Sequence, residues 1–315
     1  MAGSHPVLDV IRARAVAGSQ PSARADGHRV ALVLEGGGMR GVVSAAMAAA
    51  LEGLGLTRCF DVVAGASAGA INGAALLAGV ARGCAASYPG ALVGREFIDP
   101  RRLVLGRRPA VDVAWALALG SEDLDAGRHT RALGSPIALH CVATDVGTAA
   151  PASLTGMTSP EALSAALEAS CRIPWLGGAP VEFAGRRYLD GGMSEPIPVA
   201  TAVAAGATHV LALQTRPLGV PRSSGSPVFD RLVVRHLRRL NPALVTQYRE
   251  RAAAYEALVA GIAAQSAQPD GGPPWLYGLR APAGTPVVGQ LERRVDVLRA
   301  AAAGAEALVE DALGG

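Results

Sequence analysis

A serine held between glycines, Gly65-Ala66-Ser67-Ala68-Gly69, separates an apolar run from an alanine-rich segment, and this junction limits the possible folds more than any other feature. The run before it, Asp61-Val-Val-Ala-Gly-Ala66, has the length and apolar content of a strand buried on both faces, and Ala68 to Val80 has the composition of a helix. G-x-S-x-G at such a junction is the pattern of a nucleophile elbow: the chain turns sharply, serine stands at the apex, and the glycines let neighbouring backbone approach. The same order occurs one step earlier. Arg29-Val-Ala-Leu-Val-Leu34 reads as a strand that stops at Gly36-Gly37-Gly38, and Val42 to Leu54 reads as a helix. Strand, helix, strand, helix with mostly apolar strands predicts a parallel sheet covered on both faces.

Further along, Ile137-Ala-Leu-His-Cys-Val-Ala143 is a strand, Pro160 to Ser170 a helix with proline in its first turn, and Val181–Phe183 with Arg187–Leu189 a hairpin. Val199 to Ala205 is helical and Thr208 to Gln214 a strand, after which Pro217 to Pro227 reads as a linker. The division expected is a peripheral leader over 1–28, a catalytic core over 29–215 and a linker with a mainly helical extension over 216–315. Half of the residues are hydrophobic, yet only 4 Phe, 5 Tyr and 3 Trp are present, so the core must be built from small, closely packed side chains.

A net charge of +3, with every basic residue an arginine, is too small to predict nucleic-acid binding, and no nucleic-acid-binding motif is present. Cys59, Cys84, Cys141 and Cys171 are scattered without metal-ligand spacing, and are expected to be reduced thiols. Asp9, Arg12 and Arg14 interrupt the start of the chain where a signal peptide needs an apolar stretch, so a soluble, cytoplasmic protein is expected.

Gly36-Gly37-Gly38-Met39-Arg40-Gly41 satisfies G-x-G-x-x-G and lies between a strand and a helix. A dinucleotide site would need an acid closing the second strand, whereas Asp61 stands at that strand's beginning. The other use of such a loop is as an oxyanion hole, with backbone N–H groups directed at developing negative charge and Arg40 adding positive potential. For a base, Asp190-Gly191-Gly192 follows the hairpin strand, and Asp190 is favoured over Asp270, which lies in the loop sequence Gln-Pro-Asp-Gly-Gly-Pro-Pro. Two alternatives stay open: a Ser-His-Asp triad drawing on His209 or His236, and a non-enzymatic nucleotide- or anion-binding regulator using Gly36–Gly41.

Taken in order, the glycine loop Gly36–Gly41, the elbow Gly65–Gly69 and Asp190-Gly191-Gly192 resemble the patatin-like phospholipases, over a stretch from about Val30 to about Thr215. The resemblance implies a three-layer α/β/α fold with a mainly parallel central sheet and a Ser–Asp dyad that hydrolyses acyl esters of lipids without cofactor or metal. It makes Ser67 the nucleophile, Asp190 the base, and Gly37, Gly38 and Met39 with Arg40 the oxyanion hole. Glu35 departs from the Asp that many relatives carry before the glycines. Beyond Thr215 no family motif stands out. There Arg231, Arg235, Arg238 and Arg239 alternate with Leu232, Val233, Leu237 and Leu240, which reads either as a helix packing its apolar face on the core or as a surface for peripheral contact with anionic lipid.

Overall fold

Every residue of β1 (Val30–Leu34) and of β2 (Val62–Ala66) is buried, so neither strand has a solvent face and both lie inside a sheet covered on two sides. The computed structural model describes residues 5–106, 108–122, 127–222, 227–269 and 271–314. Around those strands the chain runs through α1 (Pro6–Val16), α2 (Val42–Gly53), α3 (Ala68–Leu77), α4 (Ala81–Ser87), α5 (Arg102–Leu105), α6 (Val113–Glu122) and α7 (Arg128–Leu133). It continues through β3 (Ala138–Asp145), β4 (Pro151–Leu154), α8 (Pro160–Ser170), β5 (Val181–Phe183), β6 (Arg186–Asp190), α9 (Val199–Ala204) and β7 (His209–Leu213). Last come α10 (Pro227–Leu240), α11 (Ala243–Ala267), β8 (Trp275–Leu279) and α12 (Val295–Leu313).

The centre of the sheet is parallel: β3, β2, β1, β7 and β8 are neighbours in that order. An antiparallel margin is made by β4, β5 and β6. Alternation along β1 divides the core. Val30, Leu32 and Leu34 join a cluster with Met47, Leu51, Leu76 and Leu298, whereas Ala31 and Val33 meet Val199, Ala202, Val259 and Ile262 of α9 and α11. The result is a three-layer α/β/α fold. Helix α2 is buried from Val42 to Leu51, with alanine at five of those positions, which lets α12 pack closely on it.

Pairing along β3 sets where the neighbouring strands end. Strand β3 carries β2 and β4 on opposite edges, because Cys141 and Val142 pair with both. Ala143 and Thr144 pair with both β4 and β6, so β6 occupies the same edge as β2, just past its end. Within the stretch expected to be peripheral, Val7, Leu8 and Ile11 of α1 are buried in the main core, and Arg14 donates to Asp26, to Asp61 and to the carbonyls of Cys59 and His28. Within the stretch expected to be mainly helical, β8 joins the sheet beside β7, a strand that sequence reasoning did not anticipate. Residues 223–226 of the expected linker lie outside the described residues. Among the described residues, no helix is long and apolar enough to cross a membrane.

Candidate active site

Ser67 follows β2 directly and precedes α3, with φ 56° and ψ −131°, a conformation that L residues rarely adopt and that costs about 1–3 kcal/mol. The turn is held from both sides by close backbone packing. A methyl group on Gly65 would overlap the backbone of Gly69, and one on Gly69 would overlap the carbonyl oxygen of Leu34. The Ser67 N–H donates to Ser170 Oγ at 2.9 Å, and that hydroxyl donates to the Val142 carbonyl at 2.6 Å. A side chain at the end of α8 thereby ties the elbow to β3.

Asp190 ends β6, opposite Ala143. Its Oδ2 accepts the Ser67 hydroxyl at 2.6 Å and its Oδ1 accepts the Gly192 N–H at 2.8 Å. The backbone is fixed too: the Asp190 N–H donates to the Arg172 carbonyl at 2.9 Å, and the Thr144 hydroxyl donates to the Asp190 carbonyl at 2.8 Å. Burial raises the Asp190 pKa above the usual carboxylate range, against the opposing bonds from Ser67 and Gly192 and the charge of Arg222. Arg222 itself donates to the Gly192 carbonyl at 2.9 Å. Gly191 packs against β3, where a methyl group would overlap the Val142 carbonyl.

The glycine loop faces the same place. Gly37 and Gly38 have φ of 146° and 58°, both in the region that favours glycine. Their N–H groups have no hydrogen-bond partner among the described residues, and both residues line the cleft beside Ser67. Met39 corrects an expectation: its N–H donates to the Gln290 carbonyl at 2.9 Å and its side chain is fully buried, so in this structure it is not a free donor. Arg40 turns its guanidinium back under Gly37, and its Nε donates to Thr215 Oγ1 at 3.2 Å. Burial lowers the Arg40 pKa to about 10, helped by Arg216 and opposed by Glu35. Glu35 accepts the Thr215 N–H at 2.6 Å and the Tyr255 hydroxyl at 3.0 Å. Gly36 and Gly41 are packing positions, crowded by Ala66 and Ala68 respectively.

Ser67 lies between two cavities of different character. One, about 160 Å³, is walled by apolar side chains that include Ile71, Leu92, Phe97, Val113 and Leu167. The other, about 560 Å³, holds Asp190 together with Arg40, Arg216, Arg222 and Arg251. Cys171 lines the apolar side, and burial pushes its thiol well above the ordinary value. All four cysteines are free thiols.

The remaining sequence candidates lie elsewhere. His209 opens β7, at the opposite end of the parallel strands from Ser67, with the His28 ring edge-on at 4.6 Å and the Trp275 ring tilted at 4.8 Å. Its pKa is lowered to about 4 by burial first, then by nearby His28 and Arg14. His236 lies on α10 and lines neither cavity. His140 bonds Ser153 Oγ at 2.7 Å. Asp61 is engaged by Arg14 and Arg24 at 2.7 Å each, far from the glycine loop, as its place before β2 requires. Asp270 lies outside the described residues. Among the described residues no group of three His, Cys, Asp or Glu is arranged to hold a metal. Sequence reasoning missed Ser170, Arg216, Arg222 and Gln290. Only Arg216 had a usable signal, since it closely follows β7 at the carboxyl end of a parallel strand.

The α/β/α sheet thus brings together a strained serine turn after β2 and a carboxylate at the end of β6, on one edge of β3. The family model described as patatin-like phospholipase matches residues 32–203, more than half of the chain, and the chain belongs to that family. The protein YjjU of Escherichia coli (strain K12), itself described as uncharacterized, is 31% identical over 194 residues, covering 60% of this chain and 52% of YjjU. The chain therefore spans about half the length of that curated relative. Among solved structures, VipD from Legionella pneumophila is similar over 91% of this chain and 67% of its own, with 13% identity and a TM-score of 0.40.

Proposed function

We propose that this protein is a serine hydrolase of fatty-acyl esters, of the phospholipase A, lysophospholipase or esterase type, working through a Ser67–Asp190 dyad. The observation that carries the reading is the 2.6 Å bond from the Ser67 hydroxyl to Asp190, placed where an apolar cavity meets a polar cleft. An acyl chain fits the apolar side and the alcohol half of the ester fits the polar side.

In this mechanism Asp190 accepts the Ser67 proton as Oγ attacks the ester carbonyl carbon. An ordinary aspartate, with a pKa of about 3.9, is a weak base toward an alcohol, and burial makes Asp190 a stronger one. The carbonyl oxygen gains negative charge and is held by the Gly37 and Gly38 N–H groups, with Arg40 behind them contributing charge at a distance. The bond to the leaving alkoxide breaks, and the proton on Asp190 returns to that oxygen. A water molecule, deprotonated by Asp190, then attacks the acyl carbon; the bond to Ser67 Oγ breaks, the proton on Asp190 returns to Oγ, and the fatty acid leaves.

Helix α10 supplies a further element of the proposal. Arg231, Arg235, Arg238 and Arg239 are exposed, Val233 and Leu237 are buried, and Val228 and Leu232 remain exposed beside the arginines. Phe229 and Val233 of the same helix line the polar cleft. An exposed basic face with apolar residues at the mouth of the cleft suits peripheral docking on anionic lipid.

The experiment that tests the hydrolase reading is a panel of nitrophenyl esters and phospholipids assayed on wild type and Ser67→Ala, with a fluorophosphonate label read by mass spectrometry. Wild type is expected to turn over acyl esters and to carry the label on Ser67. A labelled-nowhere, inactive wild type defeats the proposal.

A further inference from the structure

The polar side of the cleft is lined by four guanidinium groups, those of Arg40, Arg216, Arg222 and Arg251, and by two carboxylates, Glu35 and Asp190. Asp230 and Glu256, which approach Arg251 and the Arg222 backbone, lie outside the lining. Arg216 is 7% exposed and its Nε is buried without a hydrogen-bond partner among the described residues. Neither Arg216 nor Arg222 forms an ion pair among the described residues. Like charges placed together and out of water repel, so burial and the neighbouring arginines lower the Arg222 pKa. Such an arrangement is relieved by an anion that accepts from several guanidiniums at once.

Both tyrosine rings of the cleft are already taken, and the third ring that lines it, Phe229, packs edge-to-face with Trp175. Arg216 and Arg222 lie 5.6 and 5.7 Å from the Tyr255 ring centroid, and Arg251 lies 3.4 Å from that of Tyr248. A choline or ethanolamine ammonium would need such a ring or a free carboxylate, and it would meet a wall of positive charge instead. Arg216, Arg222 and Arg251 also come from the chain beyond the family match at 32–203, so this wall is the contribution of the C-terminal segment.

We infer that Arg216, Arg222 and Arg251 form a subsite for a phosphate group carrying no cationic amine, so that the preferred ester bears a bare phosphate on its alcohol half. The placement of that phosphate on the leaving side rests on the acyl-hydrolase reading; the binding of phosphate does not.

The test uses the full-length chain. Calorimetric titration with inorganic phosphate at constant ionic strength reads the subsite without turnover, and phosphate is expected to bind and to inhibit hydrolysis of a neutral nitrophenyl ester competitively. In parallel, kcat/KM is compared for a monoacylglycerol, the matching 1-acylglycerol 3-phosphate and the matching 1-acylglycerophosphocholine. The bare phosphate ester is expected to lead both others by about tenfold or more, the effect of one charge-assisted hydrogen bond. Arg216→Gln and Arg251→Gln are expected to erase that lead, whereas Arg299→Gln, on the exposed face of α12, is expected to keep it. Phosphate binding without any lead for the tethered phosphate assigns the subsite to free phosphate rather than to a headgroup. No phosphate binding overturns the inference, and equal turnover of the phosphate and phosphocholine esters overturns its headgroup half; the wild-type comparison decides both even where a variant fails to fold. Wild type that binds phosphate but hydrolyses none of the esters removes the hydrolase reading and leaves the phosphate site standing.

Discussion

Ala66 and Asp190 sit side by side along one edge of β3, the first opposite Val142 and the second opposite Ala143. The parallel strand β2 ends where the antiparallel strand β6 ends, and the residue after Ala66 is Ser67. Two chain segments more than a hundred positions apart thus deliver a hydroxyl and a carboxylate to one point because they pair with consecutive residues of a third strand.

Asp190→Asn keeps the size of the side chain and removes the proposed base. Turnover of an acyl ester is expected to fall by roughly 10² to 10⁴, the usual value of general-base catalysis. Because the folded-state pKa of Asp190 is raised, the ionised carboxylate opposes folding at pH values above it, and this cost vanishes below the unfolded value of about 3.9. At neutral pH the variant should therefore melt no lower than wild type, and thermal melts beside kinetics check both halves.

The acid limb of kcat/KM should follow ionisation of Asp190 and lie above the ordinary carboxylate range. Arg222 opposes that rise through its charge, so Arg222→Gln should shift the limb to higher pH. Profiles of both proteins on a neutral ester measure the shift. Movement toward lower pH would contradict this role for the Arg222 charge.

Ser170→Ala removes the hydroxyl between the Ser67 N–H and the Val142 carbonyl, leaving both buried groups without that partner. The expected cost is about 1–3 kcal/mol of stability, read by denaturant melts. The elbow should loosen as well, so kcat is expected to fall more than KM rises.

Arg14 is buried and joins α1 to Asp26, Asp61 and the Cys59 and His28 carbonyls. Arg14→Ala leaves Asp61 with Arg24 and the Val30 N–H as partners but strips Asp26 and the Cys59 carbonyl of a charged donor, and is expected to cost about 1–3 kcal/mol. The Asp26 carboxyl is held below its usual range mainly by its bond to Arg14, so this contribution is present above about pH 4 and is lost as the pH falls. Wild type should lose stability on acidification more steeply than the variant over that range.

Replacement of Arg231, Arg235, Arg238 and Arg239 by Gln should weaken binding to anionic vesicles, each arginine being worth about 1 kcal/mol near such a surface. Vesicle flotation at low and high salt reads the effect. Binding that resists salt, or that survives the fourfold change, would return α10 to a purely packing role.

Much of this architecture was legible in order. The wholly apolar strands before the two glycine turns indicated a covered parallel sheet, and the elbow pattern marked Ser67. Asp190 stood out because an acid before two glycines, after a strand, has a rigid support, and the folded chain brings it to 2.6 Å from the Ser67 hydroxyl. By contrast β8 was invisible: Trp275–Leu279 is short, half-buried and preceded by two prolines, so its strand character depends on the edge that β7 offers. The N-terminal segment looked loose because it carries no sustained apolar period, and Arg14 finds Asp61 only in the folded chain.

Local pattern alone determined the strand–helix order, the serine at its strained turn and the acid at the end of a hairpin, because periodicity and glycine placement act over a few neighbouring residues. Tertiary structure alone decided that β6 shares an edge of β3 with β2, that the Met39 N–H is taken by Gln290, and that arginines from the last third of the chain surround the polar side of the cleft. Those outcomes depend on hydrogen-bond registers and on charges brought together across distant segments, and no local sequence period encodes either.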